Sequence, residues 1–103
     1  MAKVKKELPI EWDINERERF KELIEEISKR SGNLAQKIKE KVKDNLNLIK
    51  QNPYLFEADS LKENNDGTFR KFTSVHIRVV YKIDSDKIII ARVRHSSSEP
   101  DHY

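Results

Sequence analysis

The sequence predicts an α+β domain with an N-terminal strand, a helical hairpin and a three-stranded antiparallel meander, the helices packed on one sheet. Three observations predict it. Apolar residues recur every three to four positions between Ile14 and Ile49, the period changes to two from Thr68 onward, and the breakers are sparse, with two Gly and three Pro. Only 36% of residues are hydrophobic and 38% are charged, so the core depends on patterning rather than abundance. Such periodicity also separates the chain from disordered sequences of similar charge.

Leu8, Ile10 and Trp12 alternate as in a short strand with one buried face. Asp13 and Glu16 then have capping-box spacing, in which Asp13 accepts an orphan amide and Glu16 reaches back. The first helix should start at Ile14, bury Phe20, Leu23, Ile24 and Ile27, and stop at Ser31-Gly32, glycine taking the left-handed C-cap. Asn33 is the expected cap of the second helix, whose inward stripe is Leu34, Ile38, Val42, Leu46 and Ile49 and whose end is Asn52-Pro53. A loop over residues 54–65 leads to the turn Asn64-Asn65-Asp66-Gly67. Strands are expected at 69–72, 75–83 and 87–95, the last two closing around Asp84-Ser85-Asp86. The tail from Ser96 to Tyr103 reads as irregular, and 103 residues make a single domain, 1–103.

The absence of cysteine excludes disulfide scaffolds, thiolate zinc sites and cysteine nucleophiles, and fits a reducing cytoplasm. Lys3, Lys5 and Lys6 are followed by no apolar stretch of signal-peptide length, and no run approaches a membrane span. Without HExxH spacing no metal site is expected, and without a phosphate-cradling glycine motif no nucleotide cofactor. Net charge is +3. It is unevenly placed: residues 68–95 hold Arg70, Lys71, Arg78, Lys82, Lys87, Arg92 and Arg94 against Asp84 and Asp86 alone.

Closing the last hairpin around Ser85-Asp86 opposes Arg78 to Val93, Val80 to Ala91 and His76 to His95, so Arg78 and both imidazoles share a face. Arg78, flanked by Ile77 and Val79, needs an anion. That anion is either an ion-pair partner, Asp59 or Glu57, or a phosphate held by the planar fork. His95 would then be the acid or base. A bulge near Val93 would instead turn His95 away and bring Arg94 beside Arg78. Arg70, Lys71, Lys82 and Arg92 are candidate contacts to a nucleic-acid backbone.

The segments Phe69-Arg70-Lys71-Phe72, Ile77-Arg78-Val79-Val80-Tyr81-Lys82-Ile83 and Ile88-Ile89-Ile90-Ala91-Arg92-Val93-Arg94-His95 resemble the C-terminal meander of the RelE/ParE superfamily of bacterial toxins. The stretch Leu48-Ile49-Lys50-Gln51-Asn52-Pro53-Tyr54 resembles the second-helix exit of the same group. The resemblance implies a toxin of a type II toxin-antitoxin module, held inactive by a co-encoded antitoxin, acting in the cytoplasm without a membrane partner or cofactor. For the branch that cleaves mRNA on the ribosome it implies that Arg78 contacts the scissile phosphate, with Arg94 and His95 near the further catalytic groups. Asp59, ahead of Leu61-Lys62, is similar to the carboxylate of YoeB-type chains, although those carry Glu, and Tyr103 stands loosely for their terminal aromatic. The long helical hairpin and the Arg94-His95 ending are more similar to ParE-type chains, which poison DNA gyrase without nuclease chemistry. The leading expectation is ribosome-dependent mRNA cleavage, with attack by the 2'-hydroxyl, charge stabilisation by Arg78 and Arg94, and proton transfer by His95. The alternative is a non-enzymatic gyrase inhibitor. An acidic antitoxin segment is expected over the basic end of the sheet.

Overall fold

A computed structural model of the chain describes residues 7–98 and 102–103. The basic start at Lys3, Lys5 and Lys6, and residues 99–101 of the expected irregular tail, lie outside the described residues. The elements follow the expected order: β1 (Ile10–Trp12), α1 (Ile14–Arg30), α2 (Gly32–Gln51), β2 (Phe69–Ser74), β3 (Ile77–Ile83), β4 (Ile88–His95) and a short 3-10 turn at Ser96–Ser98. Among the described residues no helix is long and apolar enough to cross a membrane.

Both helix junctions differ in detail from expectation. The Asp13 carboxylate accepts from the amides of Asn15 and Glu16 at 2.9 and 3.2 Å, as a cap should. Glu16 does not reach back, because the Asp13 amide is taken by the Ile90 carbonyl in the β1–β4 ladder. Its carboxylate goes to β4 instead. Between the helices no left-handed glycine is used. Ser31, in extended conformation, both ends α1 and caps α2, accepting from the Leu34 amide at 3.1 Å, so Gly32 and Asn33 are already helical.

The sheet has the order β1-β4-β3-β2, with β1 parallel to β4 and the meander antiparallel. Ile38, Val42 and Ile49 of α2 pack on Phe72, Ile77, Val79, Tyr81, Ile83, Ile88, Ile90 and Val93, while α1 adds Phe20, Leu23, Ile24 and Ile27 at the margin. Val75, with φ of 56°, and His76 form a tight β2–β3 turn, which shortens the expected 75–83 strand.

The β3–β4 register is the main correction. Near the hairpin Ile83 faces Ile88, Lys82 faces Ile89 and Tyr81 faces Ile90, as expected. Beyond them Val80 faces Arg92, Val79 faces Val93, Arg78 faces Arg94 and Ile77 faces His95. Ala91 is the extra residue of a β-bulge. The cause lies in the apolar pattern, Ile88, Ile90, then Val93, which changes parity at Ala91. An unbroken ladder would aim Arg92 and Arg94 at the helices and Val93 away, and the bulge exchanges them. His95 therefore faces the helices, while Arg78, Arg92 and Arg94 share the opposite face.

Because the bulge adds one residue without changing the flanking pairs, deletion of Ala91 should leave every cross-strand pair in place. We expect a folded variant with a cooperative thermal transition. Deletion of Ile89 would put Ala91 in the core position of Ile90 and should cost about 2–5 kcal/mol. Equal destabilisation of the two in urea titrations would contradict this register. A second expectation concerns Tyr81, which is fully buried and donates to the Pro53 carbonyl at 2.8 Å. Burial pushes its phenol up to about 12 from an ordinary 10.0. The folded state thus holds this proton more tightly than the unfolded chain, and its stabilising share is complete below pH 10 and lost between about 10 and 12. Tyr81→Phe should flatten that alkaline decline in a pH series of urea titrations.

Candidate functional site

The face of the sheet opposite the helices is covered at one end by the loop that follows α2. Ala58 bridges to Arg70, and the Asp59 amide donates to the Phe69 carbonyl at 2.9 Å. Asn65 fastens the loop from inside: its amide nitrogen donates to the carbonyls of Asp59 and Phe69, and its oxygen accepts from the amides of Gly67 and Phe69. Gly67 takes φ of 96°, a conformation open to glycine at low cost, which lets the chain re-enter β2.

This loop delivers a carboxylate to Arg78. Arg78 is 7% exposed and Asp59 1%, and they form a buried ion pair. Asp59 Oδ1 also accepts from the Leu61 amide at 3.1 Å, and Oδ2 accepts from the Tyr103 hydroxyl. Tyr103 joins the loop through its main chain, its amide donating to the Leu61 carbonyl at 2.9 Å. Its ring lies under the Arg92 guanidinium, 4.4 Å from the centroid, with Lys62 at 5.6 Å. Burial raises the Tyr103 phenol well above its ordinary range. The hydrogen bond to Asp59, whose negative charge opposes a phenolate, adds to the shift.

Arg94, directly opposite Arg78, is drawn the other way. Its Nη1 lies 2.6 Å from Glu16 Oε1, which also accepts from the Val93 amide at 2.8 Å. The two facing arginines are thus each matched to a carboxylate brought from a different element. Neither Glu16 as partner of Arg94 nor Tyr103 as partner of Asp59 was assigned by the sequence. The capping-box position of Glu16 was a signal for the wrong bond, and Tyr103 is 44 residues from Asp59 with no pattern linking them.

His95 lies on the other side of the sheet, beside Leu23, Glu26, Ile27 and Arg30 of α1 in a cavity of about 270 Å³. Its Nδ1 accepts from the Ser97 amide at 3.2 Å. His76 is in the β2–β3 turn rather than opposite His95 in the ladder, yet their rings stack with centroids 5.7 Å apart and planes 10° apart. The expected grouping of His95 with Arg78 is therefore not formed, because the bulge at Ala91 turns the imidazole to the helix side.

Of the expected backbone-contact cations, Lys71, Lys82 and Arg92 share the face opposite the helices and Arg70 does not. Arg70 turns to the helix side at the edge, bonds the carbonyls of Gly67 and Phe56 and lies over Tyr54. Lys71 pairs with Glu57 at 2.7 Å, lowering the Glu57 carboxyl below its usual range through that hydrogen bond and charge. Lys82 and Arg92 share the open face, over Phe69 and Tyr103. Among the described residues no group of three or more His, Asp or Glu side chains could hold a metal ion.

Residues 10–100 match the family described as ParE toxin of type II toxin-antitoxin system, parDE. The chain belongs to this ParE toxin family. No curated protein matches it. Membership places the chain in the RelE/ParE superfamily as the toxin of a type II toxin-antitoxin module, and implies an antitoxin partner. In this ParE-family toxin the arginine of the Arg-Val-Val-Tyr motif is held by an internal carboxylate.

Removing one member of a buried pair leaves an unmatched charge, so Asp59→Ala should lower stability by about 3–5 kcal/mol. The double variant Asp59→Leu with Arg78→Met, which removes both charges, should recover most of that loss in urea denaturation. A single variant as stable as the parent would show that the pair is not formed in solution.

Proposed function

We propose that this toxin inhibits DNA gyrase by binding it, without catalysing a reaction. One observation carries the reading: Arg78 and Arg94, the groups expected to stabilise a phosphate, are matched to Asp59 and Glu16, and His95 is on the opposite face. A catalytic anion site needs donors aimed at the place where charge develops. Here the arginine forks are aimed at carboxylates of the chain itself. A binding toxin needs only a fixed surface, which the helical hairpin and the stapled loop provide. The gyrase reading also agrees with the family matched and places the site of action in the cytoplasm.

A second reading is favoured by the convergence of Arg78, Asp59 and Tyr103. An arginine, a carboxylate and a phenol are the types of group that cleavage by a 2'-hydroxyl can use. In that reading a phosphate displaces Asp59 from Arg78 on the ribosome, the freed carboxylate takes the proton of the attacking 2'-hydroxyl as the new 2'-oxygen–phosphorus bond forms, and Tyr103, kept protonated by its burial, donates a proton to the leaving 5'-oxygen. Lys82 and Arg92 would then meet the RNA backbone.

The two readings separate in purified systems. The gyrase reading expects the toxin to block supercoiling of relaxed plasmid while a translation extract keeps its yield and its mRNA intact. Tyr103→Phe should leave inhibition within about threefold, since it removes one hydroxyl and little shape. Cleavage of mRNA in the extract, reduced by about two orders of magnitude or more in Tyr103→Phe, would replace the gyrase reading with the ribosomal one.

A further inference from the structure

Helix α1 buries none of its 17 residues fully, and Phe20, Leu23, Ile24 and Ile27 are only partly covered, whereas α2 buries Ile38, Val42 and Ile49. Apolar surface left open in this way is an unspent source of binding energy. The opening lies where α1, α2 and β1 meet. A hollow of about 300 Å³ is floored there by Trp12, Phe20, Val42 and Leu46, the Trp12 and Phe20 rings lying 5.5 Å apart. It continues past Phe20 and Lys39 into a second hollow of about 290 Å³ beside Ile24.

Lys39, Lys43 and Lys50 line the first hollow, and among the described residues no carboxylate does. Their spacing along the helix sets all three on one side of α2, beside the Val42–Leu46 stripe. Among the described residues none of the three makes an ion pair, whereas Lys71, Lys87 and Arg94 each meet a carboxylate. Like charges gathered at the rim of an apolar floor repel one another, and an anion placed among them relieves that repulsion.

We infer that the hollow between α1, α2 and β1 binds a free amphiphilic carboxylate, a medium-chain fatty acid anion. The carboxylate lies among Lys39, Lys43 and Lys50, and the alkyl chain covers Trp12, Phe20 and Leu46. Glu25 lines the second hollow, so the tail rather than the headgroup extends that way, over Ile24. The volume is at the lower end of small-ligand sites, roughly 300–1,000 Å³, which suits one short chain. Such a ligand ties α1 to α2 and β1 and so stabilises the folded state. The inference is independent of the gyrase reading, since it uses none of the residues on the Arg78 face.

Trp12 is the one tryptophan of the chain, so its emission reads the site directly. The test titrates the full chain with decanoate, kept below its micelle-forming concentration. A saturable change in Trp12 emission and a rise in melting temperature are expected, with decanol and the decyltrimethylammonium cation binding about tenfold more weakly or worse. Octanoate should bind about tenfold less tightly than decanoate, the scale of two buried methylenes. Lys43→Gln removes an exposed charge and should weaken decanoate by about tenfold while leaving decanol unchanged. Lys41→Gln removes a charge of α2 outside the hollow and should change neither. Equal affinity for decanoate and decanol, no saturable change at millimolar decanoate, or equal losses in the two lysine variants would overturn the inference. So would a response only to phosphatidylglycerol vesicles or only to an amphipathic Leu/Glu helical peptide, which would assign the hollow to a membrane or to a partner protein.

Discussion

Arg78 stands between Ile77 and Val79, both fully buried, and a strand so placed is stable only if a carboxylate reaches its guanidinium. The long excursion between α2 and β2 is organised around that requirement. Asp59 must arrive from above the sheet, so the loop runs beside β2, bridges at Ala58 and is fastened by four hydrogen bonds of Asn65. Asp59 in turn has oxygens to spare, which the Leu61 amide and the Tyr103 hydroxyl fill. Tyr103 then brings an aromatic surface under Arg92. One buried cation thus fixes the loop, the position of residue 103 and the character of this face.

The elements were legible because periodicity is a one-dimensional record of burial. Phe20, Leu23, Ile24 and Ile27 on α1, and Ile38, Val42 and Ile49 on α2, are the residues that meet the sheet. Local bonds were less legible, since each can be made in more than one way. Ser31 took the capping role expected of Asn33, and Glu16 left the cap for Val93 and Arg94, a bond no local pattern announces. The register was half legible: pairs next to the turn follow from turn length, whereas those beyond Ala91 depend on a parity change. Ile88, Ile90 and Val93 contain that change in plain view, and reading it would have placed His95 with the helices.

The charge of the meander was misleading for a related reason. Counted along the chain, residues 68–95 are strongly basic, but folding supplies their counter-charges from elsewhere. Glu11 meets Lys87, Glu16 meets Arg94, Glu57 meets Lys71 and Asp59 meets Arg78. Segment charge reports the field of an isolated segment, and a fold that imports carboxylates from a strand, a helix and a loop cancels much of it. The Glu11–Lys87 and Glu57–Lys71 pairs, whose carboxylates are exposed, contribute little to stability, because solvent screens them. The buried Arg78–Asp59 pair differs, since it cannot be undone without leaving a charge in an apolar setting.

That difference bears on how the protein can act. For Arg78 to hold a phosphate, the incoming oxygens must take the place of Asp59, and the displaced carboxylate must find water or another cation. The exchange is not isoenergetic, since Asp59 also holds the Leu61 amide and the Tyr103 hydroxyl, and its departure would release the loop and residue 103 together. A free RNA strand, bound through a few exposed cations, has little interaction energy with which to drive such a rearrangement. A large assembly that grips the toxin over a wide surface has more, because contacts remote from the site can offset the local cost. Chemistry at Arg78 would accordingly be conditional on docking, whereas inhibition by surface contact requires no movement of the pair. The same ion pair that lets an arginine lie in the middle of β3 therefore supports the proposed action by binding, which leaves the pair in place.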